Sequence, residues 1–168
     1  SVEFTADLIE DLKRRDFTIN AMAYNPGIGL VDAFDGIGDI EKKEIRCVGN
    51  PRERFGEDAL RILRAVRFSA QLGFHIEEGT MEAIKELAGT LENISAERIH
   101  VELEKLIMSN HPDKLITAYE AGITKVVLPE FDAMMECPQV SPYHMYNVGE
   151  HTIKVMENVP PTKEMRWA

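Results

Sequence analysis

The chain has 168 residues, 44% of them hydrophobic and 29% charged, a balance that suits one soluble globular domain and excludes collagen-like, disulfide-scaffold and intrinsically disordered classes. Its 19 Lys and Arg against 29 Asp and Glu leave a formal net charge of -10, which taken alone argues against nucleic acid or an anionic membrane as partner. No apolar run approaches the roughly 20 residues of a membrane helix, the opening residues lack the regions of a signal peptide, and Cys47 and Cys137 show no CxxC spacing, so a reducing cytoplasm and two buried free thiols are expected.

Charge and apolar patterning then divide the chain. The stretch Leu8 to Asp16 is charged and turns abruptly into the apolar run Phe17 to Tyr24, too short for a long helix, which predicts a turn of helix feeding a strand. Asn25-Pro26-Gly27 and Gly29 punctuate a hairpin whose return strand holds Leu30 and Val31. A short helix is expected over Gly36 to Lys43 and a strand around Glu44 to Val48, ended by Gly49-Asn50-Pro51. From Arg52 to Leu72 the apolar residues Ala59, Ile62, Leu63, Val66 and Ala70 recur every three or four positions, which predicts one amphipathic helix closed by Gly73. Further helices are expected at about Thr80 to Leu91, at Ala96 to Met108 behind Ser95 as N-cap, at Pro112 to Ala121 before Gly122, and at about Tyr146 to Asn158. The pattern is the tail of an α/β unit leading into an all-α body.

The acidity is not evenly spread. Residues 1–67 carry 11 basic and 13 acidic groups, whereas residues 68–168 carry 8 and 16. The nearly neutral first part holds Lys13-Arg14-Arg15, Lys42-Lys43 with Arg46, then Arg52, Arg54, Arg61, Arg64 and Arg67.

The densest chemistry lies in Glu57-Asp58-Ala59-Leu60-Arg61-Ile62-Leu63-Arg64-Ala65-Val66-Arg67-Phe68. On a continuous helix Asp58 and Arg61 are neighbours on one face, with Arg64 and Arg67 continuing opposite the apolar stripe. One reading is a solvated face with an intrahelical ion pair. The other concerns base edges: a carboxylate accepts and a guanidinium donates in a rigid fork, so an Asp beside an Arg matches an amino donor next to a ring-nitrogen acceptor. Adenine and cytosine present that pattern, while guanine and uracil reverse it. The other arginines then suit a triphosphate. Upstream, Arg14-Arg15-Asp16 is either a solvated helix end or a holder of ribose and phosphate, with Asp16 fixing an arginine.

The runs Arg14-Arg15-Asp16-Phe17-Thr18-Ile19-Asn20-Ala21, Leu30-Val31-Asp32 with Phe34-Asp35-Gly36, Ile45-Arg46-Cys47-Val48-Gly49, Arg54-Phe55-Gly56-Glu57-Asp58-Ala59-Leu60-Arg61 and Ile94-Ser95-Ala96-Glu97-Arg98-Ile99 occur in the order found in class II tRNA nucleotidyltransferases. The chain resembles the CCA-adding enzymes and the bacterial poly(A) polymerases over essentially its whole length, with Ala33 where the family has Pro. The resemblance implies a mainly α fold with a small β remnant: the C-terminal part of a nucleotidyltransferase α/β head over residues 1–50, then an all-helical neck and body over 51–135, then a linker and the start of an HD-type domain over 136–168.

By the same resemblance Arg15 and Asp16 recognise ribose, Asp58 and Arg61 form the protein template for the incoming base, Arg64 and Arg67 lie near the triphosphate, and Ser95 to Arg98 brace the nucleotide-binding helices. The implied activity is addition of C and A to tRNA 3′ ends from CTP and ATP in the cytoplasm, with no membrane partner. The same-class alternative is a poly(A) polymerase or an A-only or CC-only adder, and the alternative of another class is a nucleotide- or RNA-binding helical module without catalysis. The family's Mg2+-binding Asp-x-Asp pair has no counterpart before Asp7, so neither catalytic carboxylates nor metal ligands are expected here, and these residues alone are expected not to transfer nucleotides. Together with the absence of an initiator Met, this suggests a middle piece of a longer protein. Tyr143-His144-Met145-Tyr146-Asn147-Val148-Gly149-Glu150-His151 resembles the opening of an HD phosphohydrolase domain whose later His-Asp pair is not reached, so His151 is expected to be solvated or packed.

Overall fold

The structure is a computed structural model that describes the backbone of residues 2–138 and 146–168 and the side chains of residues 7–138 and 146–168. Helix α1 (Val2–Lys13) leads into a turn at Asp16, one turn of 3-10 helix at Thr18–Asn20, and strand β1 (Met22–Asn25). Strand β2 (Gly29–Asp32) returns antiparallel, with Tyr24 opposite Leu30. Helix and hairpin bury Leu12, Ala21 and Val48 against Leu8, Ala23, Val31 and Phe34, a small core separate from the main one. Helix α2 (Gly36–Lys42) follows, its first N–H groups, those of Gly36 and Ile37, donating to the Asp32 carboxylate at 2.8 and 2.9 Å. The turn of helix, the hairpin and this short helix agree with the sequence expectation.

Strand β3 (Glu44–Ile45), shorter than the strand expected around Glu44 to Val48, pairs in parallel with β4 (His75–Ile76), for which no strand was expected. Two residues are too few to show a period of two, and a parallel neighbour must come from across a connection. That connection is helix α3 (Pro51–Glu57) and helix α4 (Leu60–Leu72). The single helix expected over Arg52 to Leu72 is thus two. Asp58 leaves α3 in an extended conformation, φ -152°, ψ 104°, and its carboxylate accepts the Leu60 N–H at 3.1 Å. A short acidic side chain bonds more favourably to exposed N–H groups at a helix start than it sits in a helix interior, so the chain breaks there. The Asp58 and Arg61 side chains consequently do not share a helix face.

Beyond β4, helix α5 (Glu78–Leu87) changes to 3-10 geometry over Ala88–Asn93, shortening the helix expected to Leu91. Helix α6 (Ala96–Ile107) starts behind Ser95 as expected, but the Ser95 side chain makes no capping bond. Helix α7 (Lys114–Glu120) and Gly122 fall where expected. Helices α8 (Thr124–Val127) and α9 (Pro129–Glu136) lie in a stretch for which no element was expected. Helix α10 (Val148–Asn158) opens with a reciprocal Asn147/Glu150 cap, and α11 (Lys163–Arg166) follows. Of the HD-like run, Tyr143, His144 and Met145 lie outside the described residues; His151 is exposed on α10.

The main core gathers Ile62, Leu63, Val66 and Ala70 of α4 with Ile84 of α5, Leu103 and Leu106 of α6, Leu115 and Ala118 of α7, and Phe131 of α9. Phe17, Ile45 and Cys47 from the first 50 residues join this cluster. The chain's first part is therefore fastened to the helical part by shared apolar burial. Cys47 is buried as expected, but Cys137, after α9, is exposed, which corrects the expectation of two buried thiols.

Candidate functional site

The α1-to-3-10 turn, the α3/α4 break and the start of α6 converge on an open cleft of about 460 Å³. Arg14, Arg15, Asp16 and Asn20 line it from the first, Asp58, Leu60, Arg61 and Arg64 from the second, and Arg98 from the third. Five arginines and two aspartates give this cleft a local positive excess on a chain of net charge -10. Guanidinium groups on a water-accessible concave wall suit a multiply charged anion such as a polyphosphate.

Asp16 is held from both sides. Its Oδ2 accepts Nε and Nη2 of Arg64 at 2.7 and 2.6 Å, and its Oδ1 accepts the Phe17 N–H at 3.0 Å. The arginine expected to be fixed by Asp16 is thus Arg64, from a different element. Arg15 extends toward solvent, paired with Asp11 at 3.2 Å. Arg61 donates to Glu57 at 2.7 Å, to the Arg54 carbonyl at 3.1 Å and to the Arg14 carbonyl at 3.3 Å. Asp58 accepts Nη2 of Arg98 at 2.7 Å. Partial burial works to raise the Asp58 pKa, but the bonds from Arg98 and the Leu60 N–H and the charges of Arg98 and Arg61 outweigh it and hold the carboxyl below its ordinary range.

Five of the six expected site residues meet here: Arg15, Asp16, Asp58, Arg61 and Arg64. Asp58 and Arg61 share the cleft but bond to other partners, which corrects the expected intrahelical neighbour pair. Arg67 does not line the cleft. It is 7% exposed, donates to Glu102 and Gln71 at 2.8 Å each, and stacks over Phe68 at 3.5 Å. The turn of α4 that carries Arg67 faces α6, so its charge serves the packing of the two helices. Arg14, read in the sequence only as part of a run that either ends a helix or holds ribose and phosphate, lines the cleft; Asn20 and Arg98 belong to it without having been singled out as ligand-facing, and only the nearness of Asn20 to Asp16 and the place of Arg98 in the Ser95 to Arg98 run pointed to them.

Comparison with known proteins gives the family of the chain. Residues 1–46 match the family model described as poly A polymerase head domain, and residues 73–135 match that described as "Probable RNA and SrmB-binding site of polymerase A". A CCA-adding enzyme of Leuconostoc citreum is 51% identical over 125 residues, 74% of this chain and 31% of that protein. One from Streptococcus thermophilus is 47% identical over 136 residues, 81% of this chain and 34% of that protein. Among solved structures, the Bacillus stearothermophilus CCA-adding enzyme in complex with CTP superposes with a TM-score of 0.76 at 35% identity, covering 96% of this chain and 38% of that one. The Thermotoga maritima CCA-adding enzyme complexed with tRNA superposes with a TM-score of 0.66 at 30% identity, covering 90% of this chain and 34% of that one. With both family models, these relatives and these superpositions in agreement, the chain, which spans about a third of the length of the curated relatives it matches, belongs to the family of CCA-adding tRNA nucleotidyltransferases and poly(A) polymerases.

Proposed function

We propose that this chain is the nucleotide-selecting part of a tRNA nucleotidyltransferase that transfers CMP and AMP from CTP and ATP to a tRNA 3′ end and releases pyrophosphate. The observation that carries the reading is the single cleft in which Asp58, an ionised acceptor, and Arg61, a donor, stand beside Arg14, Arg15 and Arg64. The first two match the amino donor and ring-nitrogen acceptor of adenine and cytosine and mismatch guanine and uracil. Arg15 and Arg64 take ribose and phosphate oxygens, with Asp16 orienting Arg64. Arg67 supports the site through α6 without reaching the ligand.

In this reading residues 1–50 are the last part of the nucleotidyltransferase head, 51–135 the neck and body, and 136–168 the approach to an HD-type domain, in a cytoplasmic protein. Mg2+ is the metal the family implies. Both carboxylates of the cleft are engaged by guanidinium groups, Asp16 by Arg64 and Asp58 by Arg98, and the charged lining is otherwise cationic, so these residues do not fit the ion and serve binding and orientation.

Titration of ATP, CTP, GTP and UTP against the protein and its Asp58→Ala and Arg61→Ala variants tests the reading. ATP and CTP are expected to bind tighter than GTP and UTP, with the preference lost in both variants; equal binding of all four to the unaltered protein overturns it. Products made by the full-length protein from CTP and ATP separate CCA addition from poly(A) or partial addition.

A further inference from the structure

The last turn of α6, at the end away from the cleft, is closed by the C-terminal helix α11. The final carbonyls of a helix have no partner within it and carry the negative end of its dipole. Arg166 of α11 meets two carbonyls there, donating Nη1 to Ile107 at 2.5 Å and to Ser109 at 2.7 Å. On either side of it, Lys163 lies 2.9 Å from Glu104, and Trp167 stacks on His100 with ring centroids 5.5 Å apart. The indole lines a groove with Ile94, Ile99, Leu103 and Val127. These gains are opposed. Burial works against the charge of Arg166 and lowers its pKa, no carboxylate among the described residues offsets this, and its buried Nε meets no acceptor among them. The Lys163 pair is exposed and so contributes little, and none of the four residues of α11 is buried. A segment held by so few contacts, at such a cost, is one that opens and closes.

We propose that α11 is a strap poised to close on the C-terminal end of α6, and that its closing is linked to nucleotide occupancy of the cleft at the other end of the same helix. This rests on the proposed reading of the cleft. The link is α6 itself. Arg98 lines the cleft, and Glu102, one turn further on, lies 3.9 Å from Arg64, which also lines it. A triphosphate drawn to these two guanidinium groups therefore favours the placement of α6 at which both face the cleft. The closed strap favours one placement of α6 as well, through its last carbonyls and Glu104. Two ligands of one element that prefer the same placement assist each other, and each raises the affinity of the other by the same factor. The strap thereby ties the chain beyond α10 to the state of the cleft.

Trp167 is the one tryptophan of the chain, so its fluorescence reports the strap directly. Emission and ATP affinity are measured in the full chain and in its Arg166→Gln and Lys163→Gln variants. Arg166→Gln is expected to move the emission to longer wavelength, as the indole leaves His100 for water, and to weaken ATP about fivefold, the low end of coupling between two sites. Lys163→Gln, at an exposed position where folding is not at risk, is expected to do both to a smaller extent. In the unaltered protein saturating ATP is expected to move the emission to shorter wavelength, a response that a merely structural role of Arg166 would not produce. An emission shift in Arg166→Gln with ATP affinity unchanged, no shift in that variant, or no response of the emission to bound ATP overturns the proposal. Failure of the unaltered protein to bind ATP at all overturns the reading of the cleft, and the link with it.

Discussion

Glu102 carries more of the architecture than its place in an acidic helix suggests. Only 4% exposed, it accepts Arg67 Nε at 2.8 Å and lies 3.9 Å from both Arg64 Nη1 and Lys105 Nζ. Arg64 reaches on to Asp16, so a chain of alternating charges runs from α6 through α4 to the cleft. Removing one member of a buried ion pair leaves the other charged in a low-dielectric site, a loss of about 3 kcal/mol or more. Glu102→Ala is therefore expected to destabilise the protein by about that amount in denaturant unfolding, since among the described residues Arg67 then keeps Gln71 and the Phe68 ring but no carboxylate. A loss under about 1 kcal/mol would mean that Arg67 finds water instead. At this scale the sequence showed which residues were charged but not their partners: Arg64 and Asp16 are 48 residues apart, and no local spacing pairs them.

Helix ends are where local chemistry and tertiary contact meet. Gly73 closes α4 with φ 69°, the left-handed conformation that glycine adopts without steric cost, and Gly122 follows α7 with φ 78°. The two positions differ in their surroundings. A Cβ on Gly73 would stand 2.7 Å from Nε2 of His111, whereas one on Gly122 meets open space. Gly122→Ala is expected to cost about 1 kcal/mol of backbone strain, and Gly73→Ala more than that, because the His111 ring must also move. Thermal unfolding of the two variants compares them directly, and equal losses would show that His111 yields freely. Both glycines were legible as helix stops. The break at Asp58 was not, since the apolar period from Ala59 to Ala70 says nothing of where the helix begins, and Asp58 is held at the break by capping the Leu60 N–H and by Arg98, 40 residues away.

For the molecule as a whole, the carboxylates that tie its elements together set its behaviour in acid. Glu77, like Asp58, is held below its ordinary pKa: partial burial opposes ionisation, but the Gly79 and Thr80 N–H groups, the Thr80 hydroxyl and the Arg46 charge prevail. A folded-state pKa below the unfolded one stabilises the protein above the unfolded value, about pH 4 for carboxyls, and that stability is lost as pH falls through the depressed values. At the other end, burial pushes the Cys47 thiol from 9.0 to about 12, so stability falls as pH rises between those values, where only the unfolded thiol ionises. Denaturant unfolding across pH is expected to show a plateau bounded on both sides, with a shallower acid limb in Asp58→Asn; an unchanged acid limb in that variant would remove Asp58 from the account. The sequence by itself determined the hairpin, the helical body, the family and most residues of the cleft, because these follow from turn chemistry, apolar period and short runs of neighbours. Tertiary structure alone decided that Arg67 is buried against α6, that Arg98 faces Asp58, and that the head segment shares its core with the helices. Those outcomes depend on charges and apolar faces brought together by folding from distant parts of the chain, where the desolvation of one group is offset only by the arrival of another.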